Sequence, residues 1–201
     1  MARKTKFTAD DVIETAFNLV RKNGWPGLSV TAVANALDCS TMPIYSHFQN
    51  LDKLADAVVR KAWQLFFEYD SKSYTGDAWI DQALGSIHFA REEKRLFMCL
   101  YDGRNLKLQR ELIKEHWAHL SEFIETYEPF SNLDTKQRDA IRHARAMFCH
   151  GVGTSIAMDW YAFSEEDINL EKYLSMTSQA LLEGYKEIYA RDGVKNPFIG
   201  E

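Results

Sequence analysis

The sequence predicts an all-α protein of about nine helices, and three observations support this fold class. The 201-residue chain contains only four prolines and ten glycines, so long stretches run without a residue that ends a helix. Apolar residues recur at three- and four-residue spacing through most of the chain, which is typical of amphipathic helices. No segment alternates apolar and polar residues with the composition of a strand, so we expect no sheet.

Capping residues predict the first two helices. Thr8 followed by Asp11 has the spacing of a capping box, and Gly24 suits the left-handed residue that ends many helices. Ser29 is a favourable N-cap for a short second helix. These signals predict helices over residues 9–23 and 30–37.

A tight break at residues 38–40 precedes a third short helix. Ser40 can cap a helix over residues 41–47, and Asn50 can cap a long fourth helix over about 51–70. The polar stretch 71–76 then interrupts the helical pattern. Five more helices are expected, over residues 77–90, 92–102, 105–128, 134–162 and 167–190.

Charge is distributed unevenly along the chain, although the whole chain carries a net charge of −5. Residues 1–61 contain eight Lys/Arg and six Asp/Glu, whereas the remaining 140 residues contain sixteen and twenty-three. A mildly basic head on an acidic body fits a nucleic-acid-binding segment joined to a solvated partner domain.

The three cysteines, Cys39, Cys99 and Cys149, are odd in number and widely spaced. This pattern predicts neither a disulfide framework nor a zinc site. Buried thiols in a reducing compartment are the simplest interpretation, and a redox switch is the alternative, with Cys39 best placed for it.

Neither a signal peptide nor a membrane span is expected. The basic residues Arg3, Lys4 and Lys6 are followed by acidic residues instead of an apolar run. The most apolar stretch, residues 146–163, is interrupted by polar side chains and reads as a buried helix. A cytoplasmic location is therefore expected.

Three short helices within fifty residues, the last two joined by a short turn, fit a helix-turn-helix. Ala34 supplies the small residue needed where the second and third helices cross. Asp38 stands at the turn position that requires positive φ, which aspartate adopts at modest cost. The third helix is then able to enter a major groove and to present Thr41, Met42, Tyr45 and Ser46 to bases and phosphates.

The stretch SVTAVANALDCSTMPIYSHF, residues 29–48, resembles the DNA-binding motif of the TetR family of transcription regulators. The Y-S-H-F ending is its most specific part, and the continuation from Asn50 into a long helix also fits. The motif resemblance covers residues 8–58. Beyond them the likeness consists of chain length, helix count and the segment MFCHGVG at residues 147–153.

The resemblance implies a set of DNA contacts. Ser29, Tyr45 and His47 would bind phosphates, with surface packing the alternative for His47, whereas Phe48 would belong to the core. Two residues depart from the family pattern: Asp38 replaces a glycine, and Leu51 replaces a phosphate-binding lysine, whose contact Lys53 would take over. The implied DNA-binding residues are Ser29, Thr31, Ser40, Thr41, Met42, Pro43, Tyr45, Ser46, His47 and Lys53.

The basic residues at the N-terminus, Arg3, Lys4 and Lys6, have two interpretations. They form either a DNA-contacting arm, in the minor groove or on the backbone, or a solvated tail.

The last two long helices carry apolar and small residues that permit close packing with a second subunit. The resemblance implies that these helices form a four-helix interface in a homodimer. The expected interface residues are Phe148, Gly151, Val152, Ser155, Leu174, Thr177, Ser178, Leu181 and Tyr185.

The resemblance also implies a small-molecule effector pocket in the helical body. Ordinary core packing is the alternative for each side chain that is expected to line this pocket. The expected pocket residues are Phe66, Phe67, Phe89, Met98, Tyr101, Trp117, Phe123, Met147 and Trp160.

The sequence therefore predicts a helix-turn-helix domain over residues 1–50 and an effector-binding and dimerisation domain over residues 51–201, linked by the fourth helix. The expected function is ligand-responsive repression at a palindromic operator, without catalysis, cofactor or metal. The first alternative is a DNA-binding protein that needs no effector or is controlled by a partner. The remote alternative is a helical-bundle enzyme or metal-binding protein. It lacks support because the histidines at 116 and 119 do not form the paired E-x-x-H motifs of a di-iron bundle.

Overall fold

A computed structural model describes residues 7–160 and 169–192, and these residues form nine α-helices and no strand. The all-α prediction is therefore confirmed over the described part of the chain. None of the described helices is long and apolar enough to cross a membrane. The helices are α1 Ala9–Asn23, α2 Val30–Ala36, α3 Met42–His47, α4 Leu51–Asp70, α5 Ala78–Glu92, α6 Lys94–Leu100, α7 Leu106–Ile124, α8 Thr135–Ala157 and α9 Leu170–Asp192.

Caps fix the ends of several helices, and those at Thr8 and Gly24 were predicted from the sequence. The predicted Ser40 cap is absent, because Thr41 is the N-cap residue of α3 and makes no side-chain capping bond. The Thr8 amide donates to the Asp11 carboxylate at 2.8 Å, and the Asp11 amide donates back to Thr8 Oγ1 at 3.2 Å. Gly24 ends α1 with φ of 67°. Asp134 and Gln137 form a second reciprocal cap at the start of α8. Each cap satisfies backbone groups that have no partner within the helix.

The chain divides into two compact units, and the first consists of residues up to Leu65 together with Glu93–Ile113. In this unit α1 packs against α2, α3 and α6. Arg21 of α1 donates from Nε to the buried Glu93 carboxylate at 2.7 Å. This long-range ion pair joins residues 93–113 to the N-terminal helices, whereas the sequence predicted a separate head of residues 1–50.

The second unit comprises Phe66–Glu92 and the chain from Lys114 onward. Its centre is α5, which packs against α8 and α9. Arg145 of α8 is buried there, donating to the Trp79 carbonyl and to Gln82 Oε1, the latter at 2.8 Å. Its guanidinium carbon lies 3.5 Å from the Trp79 ring centroid. The buried Arg145 charge is thus stabilised by hydrogen bonds to a carbonyl and a side-chain amide and by contact with an aromatic ring.

A buried polar contact between Asp70 and His116 connects the end of α4 with α7 inside the second unit. His116 Nε2 lies 3.0 Å from the Asp70 carboxylate, and Ser86 Oγ donates to the same carboxylate at 3.2 Å. The His116 ring is stacked on Phe66 and on Phe67, with centroids 4.8 Å apart in both cases. Burial raises the pKa of Asp70, and the His116 hydrogen bond opposes that shift.

All three cysteines lie in described segments, and each has a free thiol. Cys99 and Cys149 are buried as expected, and burial raises the pKa of Cys99 to about 12 and of Cys149 to about 11. Both thiols are therefore uncharged at neutral pH and poorly nucleophilic. Cys39 is half-buried.

His88 of α5 predicts a pH dependence of stability. Arg91 Nη2 donates to His88 Nδ1 at 3.0 Å, and the imidazole is stacked on Tyr74. Burial and the Arg91 charge lower the pKa of His88 from its usual 6.5, although Glu171 and Glu92 act in the opposite direction. His88 therefore binds a proton more readily in the unfolded chain than in the folded protein. Neutral His88 therefore contributes its full stabilisation at pH values above its pKa in the unfolded chain. This stabilisation is lost as the pH falls through its lower pKa in the folded protein.

The free energy of unfolding should fall as the pH is lowered from about 7.5 to about 5.5, the range in which histidine titrates. We expect this fall to be smaller in the His88→Gln variant than in the unaltered protein. Urea unfolding at each pH measures this difference. Equal losses in both proteins would show that the His88 proton does not influence stability.

Candidate nucleic-acid interface

The helices α1, α2 and α3 pack on one another and fix the position of α3. Val33 and Ala34 of α2 and Ile44 of α3 are buried. Asp38, in the connection between α2 and α3, has φ of 49°, so the sequence prediction of a positive φ at this position is confirmed. The Cys39 amide then donates to the Ala34 carbonyl at 3.0 Å, which closes the turn.

The other side chains of α3 face solvent, except for the half-buried Pro43. Met42 is 77% exposed and Tyr45 is 55% exposed, although both are large side chains that usually contribute to a core. Because Ile44 anchors the helix from below, these two side chains are held on an outward surface. The other predicted DNA-binding residues are Ser29, Thr31, Ser40, Thr41, Ser46, His47 and Lys53, which are exposed, and Pro43, which is half-buried.

Hydrogen bonds within the protein already use several of these side chains. Ser29 Oγ accepts from the Ala32 amide at 3.0 Å as the N-cap of α2, which leaves its hydroxyl proton available. Ser46 Oγ donates to the Pro43 carbonyl at 2.6 Å. The sequence did not predict this second bond, which directs the Ser46 hydroxyl proton away from any ligand.

Two further contacts lie at the edges of the exposed surface. His47 Nε2 is 3.0 Å from the carbonyl oxygen of Phe7, forty residues earlier in the chain. Lys53 Nζ lies 3.8 Å from the Asp56 carboxylate, and its side chain is mostly exposed. The Lys53 amide donates to Asn50 Oδ1 at 2.9 Å, so Asn50 caps α4 as predicted from the sequence.

The segment of residues 29–50, which contains α2 and α3, has no lysine or arginine and one acidic residue, Asp38. Its exposed polar groups are hydroxyls, amides, an imidazole, a phenol and the Asp38 carboxylate. Such groups read bases and accept single phosphate contacts, but they release few counterions. A nucleic acid bound at this surface would therefore have to be neutralised by cations from outside the segment.

The expected effector-pocket residues are distributed over different environments. Phe66 and Phe89 are packed together with ring centroids 4.9 Å apart, and Phe67 is stacked on His116. Phe66 and Phe89 fill core space in the second unit, whereas Phe67 is half-buried. Trp117 is half-buried, with the Arg142 guanidinium 4.0 Å from its ring centroid.

The other expected pocket residues are also not gathered around one cavity. Met98 and Tyr101 belong to the first unit and are exposed. Met147 is 64% exposed and Trp160 is 65% exposed, so the prediction that they are pocket residues is corrected. The helical phase of α8 turns Met147 outward while Cys149 turns inward. The side chain of Phe123 lies outside the described part of the structure.

An open groove lies on the second unit instead, with a volume of about 560 Å³. It runs between α5 and α9, and none of the expected pocket residues contributes to it. The groove is formed by Ile80, Ser175, Met176, Gln179, Ala180 and Glu183.

The expected dimer interface requires a correction in α9. Leu174 and Ser178 are fully buried within the chain, and the Trp79 indole donates to the Ser178 carbonyl at 2.9 Å. Leu174, Ser178 and Leu182 follow one another at four-residue spacing, so this face of α9 packs on α5 and cannot contact a second subunit.

The other expected interface residues lie closer to the surface. Phe148, Val152 and Tyr185 are partly buried against the core, whereas Gly151 is exposed. Ser155, Thr177 and Leu181 are half-buried. The most exposed large apolar side chains of α8 and α9 are different residues, namely Met147, Met176, Tyr173 and Ile188.

Comparisons with known proteins do not assign a family. No protein-family model matches the sequence, and no curated protein matches it significantly. Within residues 7–160 and 169–192, no three His, Cys, Asp or Glu side chains are arranged to hold a metal ion. The functional assignment therefore depends on the residues and geometry of α2 and α3.

Proposed function

We propose that this protein is a sequence-specific DNA-binding transcription regulator of the TetR type. The observation that carries the proposal is the outward surface of α3, where Met42 and Tyr45 are exposed while Ile44 anchors the helix. An exposed short helix after a tight turn is the element that enters the major groove in helix-turn-helix proteins. Thr41, Met42 and Tyr45 are the residues proposed to contact the DNA.

A homodimer is part of the proposal because two recognition helices must reach successive major grooves, about 34–36 Å apart. Exposed apolar side chains on α8 and α9 support it: Met147 is 64% exposed and Met176 is 62% exposed. Burying such side chains against a second copy is favourable, at roughly 25 cal/mol per Å² of apolar surface. The proposed interface is therefore the outward side of α8 and α9, centred on these methionines.

Release from DNA by a small molecule is the ligand-responsive form of the proposal. The second candidate is a DNA-binding regulator without an effector, and the packing of Phe66 against Phe89 in the core favours it. A small-molecule library screened for displacement of bound DNA separates the two. Displacement by a compound that binds the free protein supports the ligand-responsive form, and its absence across the library supports the second candidate.

Selection of bound duplexes from a random DNA pool tests the proposed function. We expect enrichment of a palindromic site whose half-sites are spaced by one helical turn. Sedimentation of the complex should give two protein chains per duplex. The proposal would be rejected if no sequence were enriched at low salt, or if the protein remained monomeric when bound.

Tyr45→Phe is expected to weaken binding to the selected duplex by about 1 kcal/mol, because it removes one hydroxyl bond to a phosphate. Fluorescence anisotropy measures the loss as a change in Kd. Tyr101→Phe is the matched control, since Tyr101 is also an exposed tyrosine and belongs neither to α3 nor to the proposed dimer interface. If both variants bind as tightly as the unaltered protein, Tyr45 makes no phosphate contact.

A further inference from the structure

We infer that Met42 reads the C5-methyl group of a thymine in each half-site of the bound DNA. This inference rests on the proposed function and deepens it by naming the base that α3 recognises. The observation is the chemical character of the exposed surface of α3. Its most exposed large side chain is the apolar Met42, 77% of which faces solvent, although methionine is usually buried.

The side chains that make paired hydrogen bonds to a purine are missing from α3. Guanine is read mainly by arginine or lysine, and adenine by asparagine or glutamine. Helix α3, Met42–His47, contains none of these four residue types. Asn35 lies on α2, the helix that crosses the DNA backbone in this motif, whereas Gln49 and Asn50 follow the end of α3. The first residues of the recognition helix are the ones that contact base edges.

The polar side chains on and beside α3 give little discrimination between bases. Ser46 Oγ donates its proton to a backbone carbonyl three residues earlier, and His47 Nε2 lies 3.0 Å from the Phe7 carbonyl oxygen. The Tyr45 hydroxyl is the proposed phosphate contact. Thr41 makes no side-chain capping bond, but a hydroxyl both donates and accepts, so it bonds to any base. Apolar contact is therefore the remaining way for α3 to select a base.

Thymine is the base that such a surface fits, because it alone presents a methyl group in the major groove. The Met42 side chain is unbranched, flexible and polarizable, so it adapts its shape to that methyl group. The buried Ile44 holds α3 on the protein and keeps Met42 on the outward surface. Contact between the thioether and the methyl group removes apolar surface from water on both partners, which is favourable. The preferred half-site therefore contains a T·A base pair opposite Met42.

Replacement of single thymines by uracil tests this inference with the full-length protein. Uracil pairs with adenine as thymine does, but it lacks the C5-methyl group. The probe is the duplex most enriched in the random-pool selection, and fluorescence anisotropy gives Kd. We expect one thymine in each half-site at which uracil weakens binding about fourfold, the factor that corresponds to about 0.8 kcal/mol per buried CH₂ group. Uracil placed outside the half-sites is expected to leave Kd unchanged.

Variants of Met42 assign the methyl contact to this side chain. Met42→Ala is expected to bind the thymine and uracil duplexes within about twofold of each other, because the thioether and the methyl group act together. Met42→Leu keeps an apolar side chain and is expected to retain the preference for thymine. Leu106→Ala is the matched control, since Leu106 is a large apolar residue, 58% exposed, at the start of α7. It should keep the fourfold loss, and thermal unfolding verifies that each variant is folded.

Two results would overturn the inference. One is a selected duplex whose half-sites contain no thymine at which uracil weakens binding. The other is an equal loss of affinity on uracil replacement in Met42→Ala and in the unaltered protein, which would mean that a different side chain reads the methyl group. Failure of the unaltered protein to bind any duplex is a separate outcome, which would reject the proposed function itself.

Discussion

Gly85→Ala is expected to destabilise the protein by about 3 kcal/mol, at the upper end of overpacking effects. A Cβ at this position would lie 2.5 Å from the Tyr69 carbonyl oxygen and 2.7 Å from the Asp70 Cα. Both are backbone atoms, so neither can move aside by a change of rotamer. Helix α5 can approach the end of α4 this closely only because residue 85 has no side chain.

Intrinsic helix propensity alone would predict that Gly85→Ala raises the free energy of unfolding. Alanine within a helix is normally more stable than glycine by about 1 kcal/mol. Gly184→Ala on α9 is the matched control, because an added Cβ there meets nothing within 4 Å. We expect Gly184→Ala to stabilise the protein slightly. Equal free energies of unfolding for the two variants in urea would mean that α5 and α4 are not in such close contact.

Asp70→Ala is expected to cost about 1–3 kcal/mol, the usual penalty for leaving a buried polar group without its hydrogen-bond partner. The substitution would leave His116 buried between Phe66 and Phe67 without the carboxylate that lies 3.0 Å from its Nε2. Ser86 would lose the acceptor of its hydroxyl in the same step.

A double-mutant cycle separates the pair from the effect of burial alone. Asp70→Ala combined with His116→Ala is expected to cost clearly less than the sum of the two single changes. Glu111→Ala is the control, since its contact with Arg60 is exposed and such a pair contributes at most about 1 kcal/mol. Additive single effects at Asp70 and His116 would show that the two groups do not stabilise each other.

Local sequence signals predicted the helices and most of their ends. The cap formed by Thr8 and Asp11 and the break at Asp38 depend on neighbouring residues only, so they are visible in the sequence. The predicted helix 105–128 was too long: α7 ends at Ile124, and a short 3-10 turn, Glu128–Phe130, follows. Pro129 disrupts regular hydrogen bonding before its own position is reached.

Contacts between residues that are distant in the chain could not be predicted from the sequence. The bond from His47 to Phe7 and the pair of Arg21 with Glu93 join residues 40 and 72 positions apart. Neither pair has a spacing that identifies it. The candidate DNA-binding residues were predicted well in their exposure, because a short amphipathic helix reveals its own outward side.

The inward side of α9 shows why the expected dimer interface and effector pocket were predicted less well. Periodicity distinguished apolar from polar sides, but it did not tell whether Leu174 packs against the same chain or against a partner. Burial of Leu174 within its own chain resolves that choice. The same ambiguity applied to Phe66 and Phe89, whose size suits either a cavity wall or a filled core.

If this protein binds DNA as we propose, the lack of lysine and arginine between residues 29 and 50 would have a consequence for its behaviour on a chromosome. Millions of irrelevant sites compete for any DNA-binding protein, and they hold it mainly through charge. A weakly cationic α3 surface would leave few molecules sequestered at those sites. A small number of copies per cell would then be enough to keep the proposed operator occupied.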